Sequence, residues 1–175
     1  IGLILQLAER FPGVLFLLIG GRPVDVEEWR QKAYSLGLEN VMFVGFVPNS
    51  DVPLYLAACD ILLMPYERSV SVSSGGDTVR WMSPMKMFEY MASGRLIIAS
   101  DLPVLHEVLD DGNALFAAPG DVAMWAQALD RAIAEDALRA RLGFQALEDV
   151  RRYTWRRRAS RCLDLAGATS NGQEQ

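Results

Sequence analysis

Two residues of opposite charge, Lys86 and Glu89, stand inside the run Ser83-Pro84-Met85-Lys86-Met87-Phe88-Glu89-Tyr90-Met91-Ala92-Ser93-Gly94. The run reads as a short helix over 84–93 with both ends marked. Ser83 suits the N-cap, Pro84 the first helical position, and Gly94 the left-handed residue past the end. A lysine in the first turn opposes the positive end of the helix dipole, by about 0.3–1 kcal/mol if exposed. A bound anion reverses that sign, because free backbone N–H groups and an ammonium together make a phosphate site. Glu89, one turn later on the same face, can accept bonds from hydroxyl donors. The competing reading is a surface ion pair worth about 0.2–0.5 kcal/mol, with Lys before Glu as the poorer orientation. Only Lys32 and Lys86 are lysines among 17 basic residues, so Lys86 stands out against a background that favours arginine.

Other chemistry-bearing residues allow two readings each. Gly20-Gly21-Arg22 could let the backbone approach a phosphate and offer it a guanidinium, or it could be a plain strand-to-loop turn. It matches neither GxGxxG nor a P-loop. His106 is the single histidine, and its setting on an expected helix favours packing or surface over catalysis. Asp101, Glu107, Asp110 and Asp111 have the spacing of caps and a solvated helix end rather than of a metal site. Arg151, Arg152, Arg156, Arg157, Arg158 and Arg161 form a basic cluster in an acidic chain. It reads as a solvated face, or as a dock for an acidic partner domain or an anionic membrane surface. Met85, Met87 and Met91 around Phe88 read as core.

These residues need a scaffold. The 175 residues are 51% hydrophobic and 22% charged, enough for one sizeable core. A net charge of -5 argues against general nucleic-acid binding. Cys59 and Cys162 are far apart and lack a CxxC, which points to a reducing compartment, and no signal peptide or membrane-spanning run is seen. The expected location is therefore cytoplasmic. Ile1 already lies in an apolar pattern, so a longer polypeptide is expected.

Strands are expected at 14–19, 41–44, 61–64, 96–99 and 114–117. Helices are expected at 1–10, 27–36, 52–58, 84–93, 103–109, from Asp121, at 136–150 and at 154–166, with a polar loop over 67–80. Strand–helix alternation with continuous apolar strands specifies an α/β fold, a parallel sheet covered on both faces. Ligands of such sheets sit beyond the C-terminal strand ends. Gly20-Gly21-Arg22, Gly45-Phe46-Val47, Pro65-Tyr66 and Ser100-Asp101 all fall there.

The ordered blocks Gly45-Phe46-Val47-Pro48, Asp60 to Tyr66, Ser83 to Gly94, Ile97 to Pro103, Glu107-Val108, Asp111 to Leu115, Pro119-Gly120-Asp121 and Tyr153-Thr154-Trp155 resemble glycosyltransferase family 4. The resemblance covers roughly 1–166. It implies the GT-B fold, two Rossmann-like domains with the active site between them, of which this chain resembles the C-terminal, nucleotide-sugar-binding one. By that likeness Glu89 holds the ribose hydroxyls, and the backbone of Ser83, Pro84, Met85, Lys86 and Met87 meets donor phosphates and sugar. Phe46 and Val47 line the nucleobase, and Gly20 and Gly21 lie near the diphosphate. The family's first acid falls at Trp81, which cannot accept sugar hydroxyls, as in a subset with a Ser-Pro-x-Lys form; Asp77 could serve instead, in a loop whose pattern does not decide it.

The family's Arg and Lys that clamp the diphosphate belong to a strand and loop before Ile1, and that strand would be central in the sheet. The implied protein is a hexosyltransferase that retains anomeric configuration, with a nucleoside-diphosphate sugar as donor and no metal or other cofactor. Its implied partner is an N-terminal acceptor domain of the same polypeptide. A helix at 153–166 would dock on that domain, a membrane would be met through it, and 167–175 would be a disordered tail. No catalytic residue is assigned within the chain. The rival readings are a nucleotide-sugar 2-epimerase of the same architecture, a signalling receiver domain and a non-catalytic nucleotide-binding module.

Overall fold

The computed structural model describes residues 1–67 and 85–170. Ser83, Pro84, Trp81, Asp77 and the rest of 68–84 lie outside the described residues, as do 171–175.

In chain order the elements are α1 (Gly2–Arg10), β1 (Phe16–Ile19), α2 (Pro23–Ser35), β2 (Val41–Gly45), α3 (Val52–Ala58) and β3 (Ile61–Met64). Then come α4 (Met85–Ala92), β4 (Leu96–Ser100), β5 (Leu115–Ala117), α5 (Val122–Ala134), α6 (Asp136–Val150) and α7 (Trp155–Ser170). All pairings are parallel, but they form two sheets rather than one: β1 with β2, and β3–β4–β5. One edge of β1 and one edge of β3 pair with no described strand.

β4 is the centre of the larger sheet, and all five of its residues are buried. Strand alternation sends Leu96 and Ile98 to one side and Ile97 and Ala99 to the other. The first side packs against α1, α5 and the start of α6 through Leu7, Trp125, Leu129, Leu138 and Leu142. The second packs against α4 through Met87 and Met91, and against Leu102, Leu105, Leu109 and Ala146. The indole N–H of Trp125, fully buried, donates to the Ala118 carbonyl at 3.1 Å.

Glycine permits one very close approach. A Cβ on Gly143 of α6 would lie 2.2 Å from the Gly94 carbonyl oxygen and 2.9 Å from its carbon. α4 ends there as the sequence implies, with Gly94 at φ 66° donating to the Met91 carbonyl. Asp121 caps α5, its carboxylate accepting from the Ala123 and Met124 N–H groups.

Four expectations change. The segment 103–109 is not a helix but two separate turns. The Leu102 carbonyl accepts from Leu105 and His106, and the Leu105 carbonyl from Val108 and Leu109, with no bond from Glu107 to join them. α2 begins at Pro23, not near Glu27, because Pro fits a first turn where its missing N–H is no loss. Met85 is exposed rather than core, whereas Met87 and Met91 are buried. α7 runs to Ser170, four residues into the expected tail.

Candidate functional site

Within each sheet the parallel strands end on the same side. β1 and β2 both run into glycines with positive φ: Gly20 at 95°, Gly21 at 96° and Gly45 at 79°. The Gly20 N–H donates to the Gly45 carbonyl at 2.7 Å, tying the two ends together. A side chain at Gly21 would meet Val26 Cγ2 at 3.0 Å, so the backbone stays bare and approachable there. Beyond β2, Phe46 is 82% exposed while Val47 turns into the interior. A flat apolar face is therefore offered by Phe46, not by Val47.

Arg22 does not stand free. It holds Asp25 in a two-pronged ion pair, Nε to Oδ2 at 2.6 Å and Nη2 to Oδ1 at 2.8 Å. The hydrogen bonds of this pair lower the Asp25 pKa and raise that of Arg22. The pair lies at the start of α2, where Asp25 also suits the first turn.

The end of β3 is pinned to the end of β4 by one hydroxyl. Ser100 Oγ accepts from the Tyr66 N–H and donates to the Tyr66 carbonyl, both at 2.7 Å. Ser100 is fully buried. The Tyr66 ring in turn lies under Lys86, whose Nζ is 4.9 Å from the ring centroid. Lys86 and Glu89 make no ion pair among the described residues. Partial loss of water lowers the Lys86 pKa, against an opposing pull from Glu89. The same effect raises the Tyr66 phenol, and pushes Tyr90 up to about 12, helped by the nearby Tyr66.

α4 thus carries Met85 and Lys86 in its opening turn and Glu89 one turn on, with Glu89 exposed. Met87 is buried in the core, so only its backbone could meet a ligand. Ser83 and Pro84, expected to lead into the helix, lie outside the described residues. Tyr66 and Ser100 were legible only as strand-end residues; the vertical stacking of Ser100, Tyr66 and Lys86 has no signature in spacing.

Other candidates resolve structurally. His106 Nε2 is 2.8 Å from Asp101 Oδ1, and its ring stacks on Phe116 at 4.1 Å, a packing role. Arg151 and Arg152 pair with Glu148 and Asp149, while Arg156, Arg157, Arg158 and Arg161 project from the exposed start of α7. A cleft of about 550 Å³ is lined by residues such as Glu107, Asp110, Arg141, Gln145 and Asp149. In its wall Arg152 pairs with Asp149, which also accepts from the Asn113 amide. Among the described residues no three His, Cys, Asp or Glu side chains are arranged to hold a metal ion. No helix among them is long and apolar enough to cross a membrane.

The strand ends and α4 can therefore offer bare backbone, an ammonium at a helix start, a carboxylate and an exposed aromatic ring. A family model described as glycosyl transferases group 1 matches residues 3–135, most of the chain. The chain belongs to the group 1 glycosyl transferases. Among relatives of this family member, the phosphatidyl-myo-inositol mannosyltransferase of Mycobacterium leprae is 32% identical over 178 residues, covering 97% of the chain. The chain spans 44% of that protein's length. Sucrose-phosphate synthase from Thermosynechococcus elongatus shares the fold at a TM-score of 0.76 and 21% identity, over 97% of this chain and 43% of the other. Anabaena HepE, solved in complex with UDP, superposes at a TM-score of 0.68 and 24% identity, over 85% of this chain and 39% of the other. The α/β fold of this group 1 glycosyl transferase is thus that of GT-B enzymes.

Proposed function

We propose that the chain is the donor-binding half of a family 4 hexosyltransferase that uses a nucleoside-diphosphate sugar. In the reaction the bond from the anomeric carbon to the diphosphate breaks, and the diphosphate leaves with the electron pair. A bond forms from that carbon to an acceptor hydroxyl, which gives up its proton, with net retention of configuration. The observation that carries this reading is the Lys86 ammonium, seated over Tyr66 in the first turn of α4, while Gly20 and Gly21 bare their backbone past the end of β1. Charge that builds on a leaving diphosphate is stabilised by preorganised donors of this kind. Glu89 serves the ribose hydroxyls and Phe46 the base. The UDP complex of HepE, a protein of like fold, supports a nucleoside diphosphate as ligand.

The chain covers less than half the length of its mannosyltransferase relative. The remainder would supply the acceptor domain, through which a membrane would be met, in a cytoplasmic enzyme. It would also supply a strand between the open edges of β1 and β3, a placement that the split into two sheets supports. α7, with Trp155 exposed and a row of arginines, would dock on the acceptor domain.

Calorimetry on the full-length protein tests the site. Lys86→Ala should weaken binding of uridine or guanosine diphosphate about tenfold, as expected for a lost charge-assisted bond. Glu89→Ala should weaken the nucleotides while sparing inorganic pyrophosphate. An unchanged Lys86→Ala affinity would remove the phosphate role, and equal losses for both ligands in Glu89→Ala would remove the ribose role.

A further inference from the structure

We propose that Tyr66, fixed by Ser100, is a positioning residue that sets the Lys86 ammonium in place for the donor diphosphate, an inference that rests on the site reading above. A lysine has a flexible four-carbon stem and a strongly hydrated head, so by itself it holds no fixed position. Here its Nζ lies 4.9 Å from the Tyr66 ring centroid, within the range of attraction between a cation and an aromatic face. Glu89, the carboxylate on the same helix face, does not capture it among the described residues. Among the described residues no carboxylate takes the ammonium's N–H donors, which the ring face does not engage as a hydrogen-bond acceptor would.

The platform under the lysine is itself rigid. Ser100 binds both backbone polar groups of Tyr66 through one hydroxyl, at 2.7 Å each, and is wholly buried at the end of the central strand. The Tyr66 side chain packs against the cluster of Met64, Met87, Met91 and Ile97, beside Phe88 and Tyr90. Lys86 is thereby referenced to β4 through two fixed residues. Lys86 itself remains exposed, open to an arriving ligand. The ring face, not the phenol hydroxyl, is the working part: among the described residues no hydrogen bond of the Tyr66 hydroxyl enters the arrangement.

The test measures inorganic pyrophosphate binding by calorimetry on the full-length protein, with thermal unfolding as a check on folding. Tyr66→Phe should bind within about twofold of the parent, since it keeps the ring. Tyr66→Leu should bind about fivefold more weakly, and Tyr66→Met, which also lacks a ring face, takes its place if the leucine variant does not fold. In a Lys86→Ala background the same Tyr66 change should cost nothing further, because the two residues act as one unit. Full affinity in the ring-less variant, or an equal loss with and without Lys86, would overturn the positioning role while leaving the donor site intact. Unchanged binding in Lys86→Ala alone would overturn the donor-site reading, and this inference with it.

Discussion

The two sheets are built from similar apolar strands yet differ sharply in depth. β4 is buried at all five positions, whereas β2 is fully buried at none. The larger sheet has helices on both faces, α1 and α5 on one and α4 with α6 on the other. The smaller one leaves Met42 more than half exposed, and its helix α2 buries only Ala33. Both carry candidate site residues at their strand ends, the smaller one glycine backbone and Phe46, the larger one Tyr66, Ser100 and Lys86. Side-chain chemistry that depends on exact placement is thus mounted on the well-packed half. Backbone and a stacking face, which tolerate more freedom, come from the half that is less enclosed.

Three substitutions would break or sharpen this contrast. Gly143→Ala should be the most damaging, destabilising by about 3 kcal/mol. The gain in helix propensity, about 1 kcal/mol, is outweighed because the added methyl meets the Gly94 backbone at 2.2 Å rather than a movable side chain. A denaturant melt with little change would mean that the larger half is looser than its packing implies. Asn40→Ala should cost about 2 kcal/mol. The Asn40 amide lies within 3.0 Å of the carbonyls of Ala8, Phe11 and Val14, and so ties α1 to the smaller sheet. Hydrogen exchange should then speed up in β1 and β2 while β4 stays protected; equal acceleration in both sheets would show that they unfold as one unit. Met42→Ala, on the open face of β2, should change stability by less than about 0.5 kcal/mol. A larger loss would show that this face is covered by something beyond the described residues.

Much of the scaffold was legible because its signals are local. Apolar runs stopped by Gly20, Gly45 and Gly94 marked strand and helix ends, and Asp121 marked the start of α5. The segment from Leu102 to Leu109 misled, because leucines at helical spacing bury a face equally well from two separate turns. The division into two sheets was not legible in apolar content, which tells a strand from a helix but not which edges find a partner; only the family resemblance, with its further central strand, pointed to it. At the site, Lys86 was conspicuous as a cation at the wrong end of a helix. Its seat on Tyr66 was not, because twenty residues separate the two and only the register of β3 against β4 brings them together. Arg22 looked available for phosphate only because the sequence does not say that Asp25 takes it first.

The contact between Gly143 and Gly94 has a mechanical meaning. α4 has eight residues, so it is about 12 Å long. One end presents Lys86 and the other stops against the α6 backbone, with no side chain between to act as a cushion. The helix therefore behaves as a strut with a hard stop. It cannot slide away from an arriving ligand along its own axis, and any push on Lys86 is delivered as a load on α6, some two helical turns away.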